Sequence, residues 1–217
     1  MFKFNFTNKK IISRNTSSYP IDLADVKEKS AFYEENPTDT SMDNYVINTL
    51  IPNIVDDWEE STNYLLLDQV IKAYVPDLQF INSNSLEIGL NYLNIREVNS
   101  IKYYPSNWNE EAIKTILNST NYIITEELLK ISSKLKIKKE YLPITLFNIT
   151  NNLESEIQAG FASNDFSTLN PQIKEVLSMQ AATAVDVRQG YCKGFYNEII
   201  YELYEKFSIE KQLVSFI

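Results

Sequence analysis

Apolar residues recur every three or four positions at both ends of this chain and every second position across its middle, and that switch of period limits the fold more than any other feature. Near the start, Asp22 is a good N-cap, and Leu23, Val26, Ala31 and Phe32 then form a helical stripe. Asn36-Pro37 ends it, because a residue before proline is pushed out of the α region. A longer helix follows, capped by Asp39, Thr40 or Ser41, with Met42, Val46, Leu50, Ile54 and Trp58 every four residues and Ile47 and Ile51 beside them. Pro52 lies inside this helix and predicts a kink.

From about residue 64 to 162 the period is two. Leu86, Ile88, Leu90 and Tyr92 alternate with Glu87, Gly89 and Asn91, and 95–104 continues as a strand-like run. Leu153, Ser155, Ile157, Ala159 and Phe161 face away from Glu154, Glu156 and Gln158, the pattern of a half-buried antiparallel strand. Lys134, Leu135, Lys136, Ile137 and Lys138 alternate charge with apolar residues, which predicts an edge strand. The stretch 109–131 suits either strand or helix, since Ile113, Ile116 and Leu117 also fit a helical face.

Helical periodicity returns at Asn170, an N-cap followed by Pro171, with Ile173, Val176, Leu177, Ala181, Ala184 and Val187 marking a buried face that runs to Arg188. Beyond Gly190 and Gly194 a last helix carries Tyr196, Ile199, Ile200, Leu203, Tyr204 and Phe207 on one side. The expected class is therefore α+β: a helical bundle, two helices from each end of the chain, with an inserted antiparallel β segment. The expected division is a polar arm over 1–20, a core over 21–190 containing the β segment, and a C-terminal helix with an apolar tail over 191–217.

Composition removes most catalytic chemistry. The chain of 217 residues has no histidine, so imidazole bases and histidine-ligated zinc are out of reach. Its single cysteine, Cys192, cannot form an internal disulfide and reads as a packed thiol. Four glycines, Gly89, Gly160, Gly190 and Gly194, cannot build a dinucleotide fingerprint or a phosphate-cradling loop. Asp56, Asp57, Glu59 and Glu60 around Trp58, with Glu110 and Glu111, are the remaining acid–base material; they read as solvated faces, and the alternative is a carboxylate-based hydrolase or lyase acting on carbohydrate. A cytoplasmic interaction module is a third reading. No cofactor or metal is expected. Neither an export signal nor a run long enough to span a membrane is visible, which predicts a soluble protein. The net charge of −9 disfavours tight binding to nucleic acid.

What remains is surface. The end of the helix at Arg188, the face of Tyr196, Ile200, Tyr204 and Phe207, and the tail residues Leu213, Val214, Phe216 and Ile217 are the candidate protein-interface residues.

Four stretches together resemble the head-tail connector family of tailed bacteriophages, also called adaptor or head-completion proteins. Tyr19-Pro20-Ile21-Asp22-Leu23-Ala24-Asp25-Val26-Lys27 looks like that family's first helix entry. Asp43, Val46, Leu50, Ile51, Ile54, Glu59, Glu60, Ser61 and Thr62 are similar to its second helix, with Asn63 where a glycine is usual. Leu93-Asn94-Ile95-Arg96-Glu97-Val98-Asn99-Ser100-Ile101-Lys102-Tyr103 resembles its Ser-Ile-Lys-Tyr strand, and Ala159-Gly160-Phe161 with Asn170-Pro171-Gln172-Ile173-Lys174 resembles the later strand end and helix start. The longer β segment around 109–150 and the helix after Gly194 depart from the pattern. The resemblance implies a non-catalytic virion protein: a homo-oligomeric ring of twelve copies in the capsid-tail neck, assembled in the host cytoplasm, bound beneath the portal protein and meeting the next neck or tail component. It also implies genomic double-stranded DNA passing through the lumen without specific binding, and no membrane partner.

Overall fold

The computed structural model describes residues 8–75, 85–89, 94–103, 115–116, 122–126, 133–138 and 153–191. The fold is α+β, and the chain divides into a sheet unit, residues 1–14 with 68–160, and a helical unit, residues 15–67 with 161–217.

In the helical unit, α1 (Leu23–Lys29) opens on Asp22, whose carboxylate accepts from the Asp25 amide while Asp25 accepts from the Asp22 amide, a reciprocal capping box. The helix expected to run on toward Asn36 breaks at Ser30, whose backbone is extended, and restarts as α2 (Ala31–Glu35). Helix α3 (Asp43–Tyr45), a π turn (Val46–Leu50) and α4 (Ile51–Thr62) follow as one helical run. Asp39, Thr40 and Ser41 give α3 no side-chain cap; Asp39 instead accepts from the Ser41 amide. The π turn sits immediately before Pro52, where the ring would crowd an α-helical carbonyl and the missing N–H breaks the ladder, so the perturbation expected there takes the form of a widened turn. Asn63 ends α4 in the left-handed conformation (φ 54°), and its N–H bonds the Glu59 carbonyl.

The later helix, α5 (Pro171–Arg188), is capped by Asn170, which accepts from the Gln172 amide. It closes in a Schellman motif: Gly190 (φ 82°) donates to the Val187 carbonyl, and Tyr191 donates to the Asp186 carbonyl at 2.7 Å. The expected stripes meet here. Met42, Val46, Leu50, Ile54 and Trp58 pack with Ile173, Val176, Leu177, Ala181 and Val185 in one core. Val187, expected on the buried face, is 59% exposed, one position before α5 ends.

The sheet unit holds a five-stranded antiparallel sheet in the order β1 (Asn8–Arg14), β2 (Gln69–Val75), β8 (Leu153–Ala159), β4 (Ile95–Tyr103), β5 (Thr115–Ile116). A second sheet has the order β3 (Ser85–Gly89), β7 (Ser133–Lys138), β6 (Tyr122–Glu126). Ile71, Ile157 and Val98 are in register across the first sheet and all are buried, so the two-residue period does mark the inward face. Two readings change. The stretch 1–20, expected as a polar arm, contributes strand β1. Lys134–Lys138 lies in the middle strand of its sheet and not at an edge, since β3 pairs with one side of it and β6 with the other; alternation reports one polar face, not an unpaired flank.

Candidate functional site

Of the carboxylates that the sequence left available for acid–base chemistry, Glu59 is put to structural use. Glu59 is 4% exposed, and its Oε1 accepts the Leu66 amide at 2.6 Å and the Leu67 amide at 2.9 Å. It thereby satisfies backbone donors of the segment that leaves α4. Asp57 and Glu60 are exposed, so this acidic run does not converge on one point. Glu110, Glu111 and Cys192 lie outside the described residues. Among the described residues no group of three His, Cys, Asp or Glu side chains is close enough to hold a metal ion. No helix there is long and apolar enough to cross a membrane.

A second buried carboxylate, Asp186 on α5, escaped the sequence reading. Its Oδ1 accepts from the Ser30 hydroxyl at 2.6 Å and the Phe32 amide at 3.0 Å, and its Oδ2 from the Ala31 amide at 3.1 Å. A side chain from α5 therefore caps α2, closing the break at Ser30. The only sequence signal was an acidic residue on the face that α5 turns inward, between Val185 and Val187.

Three charge pairs join α1 to α3 and α5. Lys27 Nζ is 2.9 Å from Asp43 Oδ2 and 4.8 Å from the centre of the Tyr33 ring, and the Tyr33 hydroxyl donates to Asp43 Oδ1 at 2.9 Å. Burial, with the hydrogen bond to Asp43 behind it, raises the Tyr33 phenol well above its ordinary range. Lys174 pairs with Asp25 at 2.9 Å and Lys29 with Glu175 at 3.0 Å, stitching α1 to α5. The bond to Glu175 raises the Lys29 ammonium.

Of the candidate interface residues, Arg188 is described: its guanidinium lies 4.1 Å from the centre of the Tyr45 ring, a cation–π contact between the end of α5 and α3. Tyr196, Ile200, Tyr204, Phe207, Leu213, Val214, Phe216 and Ile217 lie outside the described residues. Exposed apolar side chains are Ile11, Ile12, Ile47 and Val187.

No protein-family model matches the chain, and no curated protein matches it. Solved structures do. A chain in the virion of a native gene transfer agent particle aligns with a TM-score of 0.60 at 12% identity, over 92% of this chain and 94% of that one. A chain in the neck of the native particle, computed with C12 symmetry, gives 0.52 at 13% identity over 91% and 95%. One in the neck of the empty particle, computed with C6 symmetry, gives 0.54 at 12% identity over 91% and 95%. The chain shares its fold with these gene transfer agent chains. The likeness spans nearly the whole length of both partners, so it takes in helices and strands alike, and it bears out the expected connector-like fold.

Proposed function

We propose that this chain is a structural virion protein, the subunit of a head-tail connector ring that joins the capsid to the tail. The observation that carries the reading is a fold shared over more than nine-tenths of the chain with neck structures computed with C12 and C6 symmetry. In this reading twelve copies close a ring beneath the portal, present a platform to the next neck or tail component, and leave a lumen for genomic double-stranded DNA. Assembly takes place in the host cytoplasm. The protein performs no turnover: its buried carboxylates, Glu59 and Asp186, are occupied as backbone acceptors, which supports a scaffold over a hydrolase. A closed ring needs two different faces on each copy. Arg188 at the end of α5, with Tyr196, Ile200, Tyr204 and Phe207 and the tail Leu213, Val214, Phe216 and Ile217, are assigned to these contacts. The charge of −9 suits a channel wall that must let phosphates slide past.

The experiment is to mix the purified full-length chain with its portal protein and image the product. Rings of this chain seated on one face of the portal are expected, unaffected by chelator. A chain that stays monomeric and leaves the portal bare defeats the reading, as does carbohydrate turnover that disappears when an acidic pair is neutralised.

A further inference from the structure

The sheet unit ends on an unfinished apolar row. Val98, Ile157, Ile71 and Ile11 stand side by side across β4, β8, β2 and β1; the first three are 5%, 0% and 0% exposed, and Ile11 is 43% exposed. Ile12 is the extra residue of a bulge, since Ile11 pairs with Ile71 and Ser13 with Val70, and it is 46% exposed. Two neighbouring isoleucines are thus exposed on a strand that is at the edge of the sheet among the described residues, next to an exposed Lys10.

Charge is just as unevenly placed. The first 14 residues carry four basic side chains and no acidic one, so the rest of the chain bears a net charge of −13. Copies with this balance repel one another unless the basic segment of one meets acidic surface of the next. A bulged strand with lysines resists open-ended sheet growth, which points to a side-chain contact and not an added ladder.

We infer that the outer edge of β1 is one of the two faces by which neighbouring copies meet: acidic surface of the next copy covers Ile11 and Ile12 and pairs with Lys10. The inference rests on the ring reading above. A second copy fits this edge better than duplex DNA, because exposed aliphatic side chains gain nothing against phosphates.

Two variants test it, both at exposed strand positions and both in the full-length chain: Ile11→Thr with Ile12→Thr, which keeps β-branched residues, and Lys10→Glu. Ring formation with portal is followed by light scattering over a concentration series, alongside urea unfolding, hydrogen exchange over residues 8–14 and duplex binding by fluorescence anisotropy. The double variant is expected to raise the concentration for half-assembly by roughly tenfold or more, the worth of about half-burying two isoleucines. Lys10→Glu is expected to weaken assembly more at low salt than at high salt, and wild-type amides over 8–14 are expected to gain protection on assembly. Folded variants that assemble like wild type overturn the inference while leaving the ring intact. Normal rings with lost duplex binding overturn it in favour of DNA at this edge. A wild-type chain that never forms rings defeats the ring reading, and this inference with it.

Discussion

Replacing Asp186 with alanine strips three donors of their acceptor: the Ala31 and Phe32 amides and the Ser30 hydroxyl. All four residues are buried, with Asp186 4% and Ser30 1% exposed, so water cannot simply take the place of the carboxylate. A buried donor left without a partner costs about 1–3 kcal/mol. Taking about 1.5 kcal/mol for each amide and about 1 for the hydroxyl, which can rotate toward another acceptor, gives about 4 kcal/mol. Removing a buried charge returns part of its desolvation cost, which leaves a net loss of about 3 kcal/mol. A domain's whole stability is about 5–15 kcal/mol, so this loss is a large fraction of it. Urea unfolding read by Trp58 fluorescence, in a Trp108→Phe background so that the buried indole of the helical core reports alone, is the direct assay. With a denaturant slope of about 2 kcal/mol per molar, the midpoint is expected to fall by roughly 1.5 M. Asp186→Asn keeps one carbonyl oxygen and is expected to lose about half as much, and Ser30→Ala about 1 kcal/mol. An alanine variant within about 0.5 kcal/mol of wild type, a change typical of unremarkable surface sites, would refute the view that α5 caps α2.

Three further outcomes follow from other sites. The folded state holds the Tyr33 phenol neutral above its ordinary value of 10.0, so the unfolded chain releases that proton first and stability falls as pH rises beyond about 10; Tyr33→Phe is expected to flatten this alkaline loss in a titration of urea midpoints. The Ser155 hydroxyl is buried in the centre of β8 with no hydrogen-bond partner among the described residues, so Ser155→Ala is expected to be neutral or to raise the thermal midpoint, and a loss above about 1 kcal/mol would show a partner there. Deleting Leu213 to Ile217 is expected to weaken ring assembly or portal docking while leaving the urea midpoint in place; unchanged assembly of the truncated chain removes the tail from the contact.

Local signals carried most of the helical unit. Asp22 and Asn170 cap where short-range rules place them, because a cap needs only its own side chain and an amide two or three residues on. The apolar stripe runs unbroken through the π turn into α4, since Val46 and Leu50, the first and last residues of the widened turn, stay inward at 0% and 7% exposure. Asn63 accepts the left-handed conformation that a glycine would adopt more easily. The break at Ser30 was not legible, because its cause, Asp186, lies 156 residues away in sequence and local propensity carries no trace of it.

The same distinction explains the strands. Period-two alternation found β3, β4 and β8, yet it says which face is buried and nothing about which flank is paired. Lys134–Lys138 therefore looked like an edge while β3 and β6 occupy both its sides, and one edge strand of the other sheet, β1, was hidden in a short polar stretch with two adjacent isoleucines that broke the alternation. That irregularity was the informative signal. A bulge puts consecutive side chains where a regular strand would have turned one inward, so Ile11 and Ile12 are both exposed, beside an exposed Lys10. An assembly surface carries no catalytic residue-type signature, and the proposed one is read from where an apolar row and a charge imbalance end at the same edge.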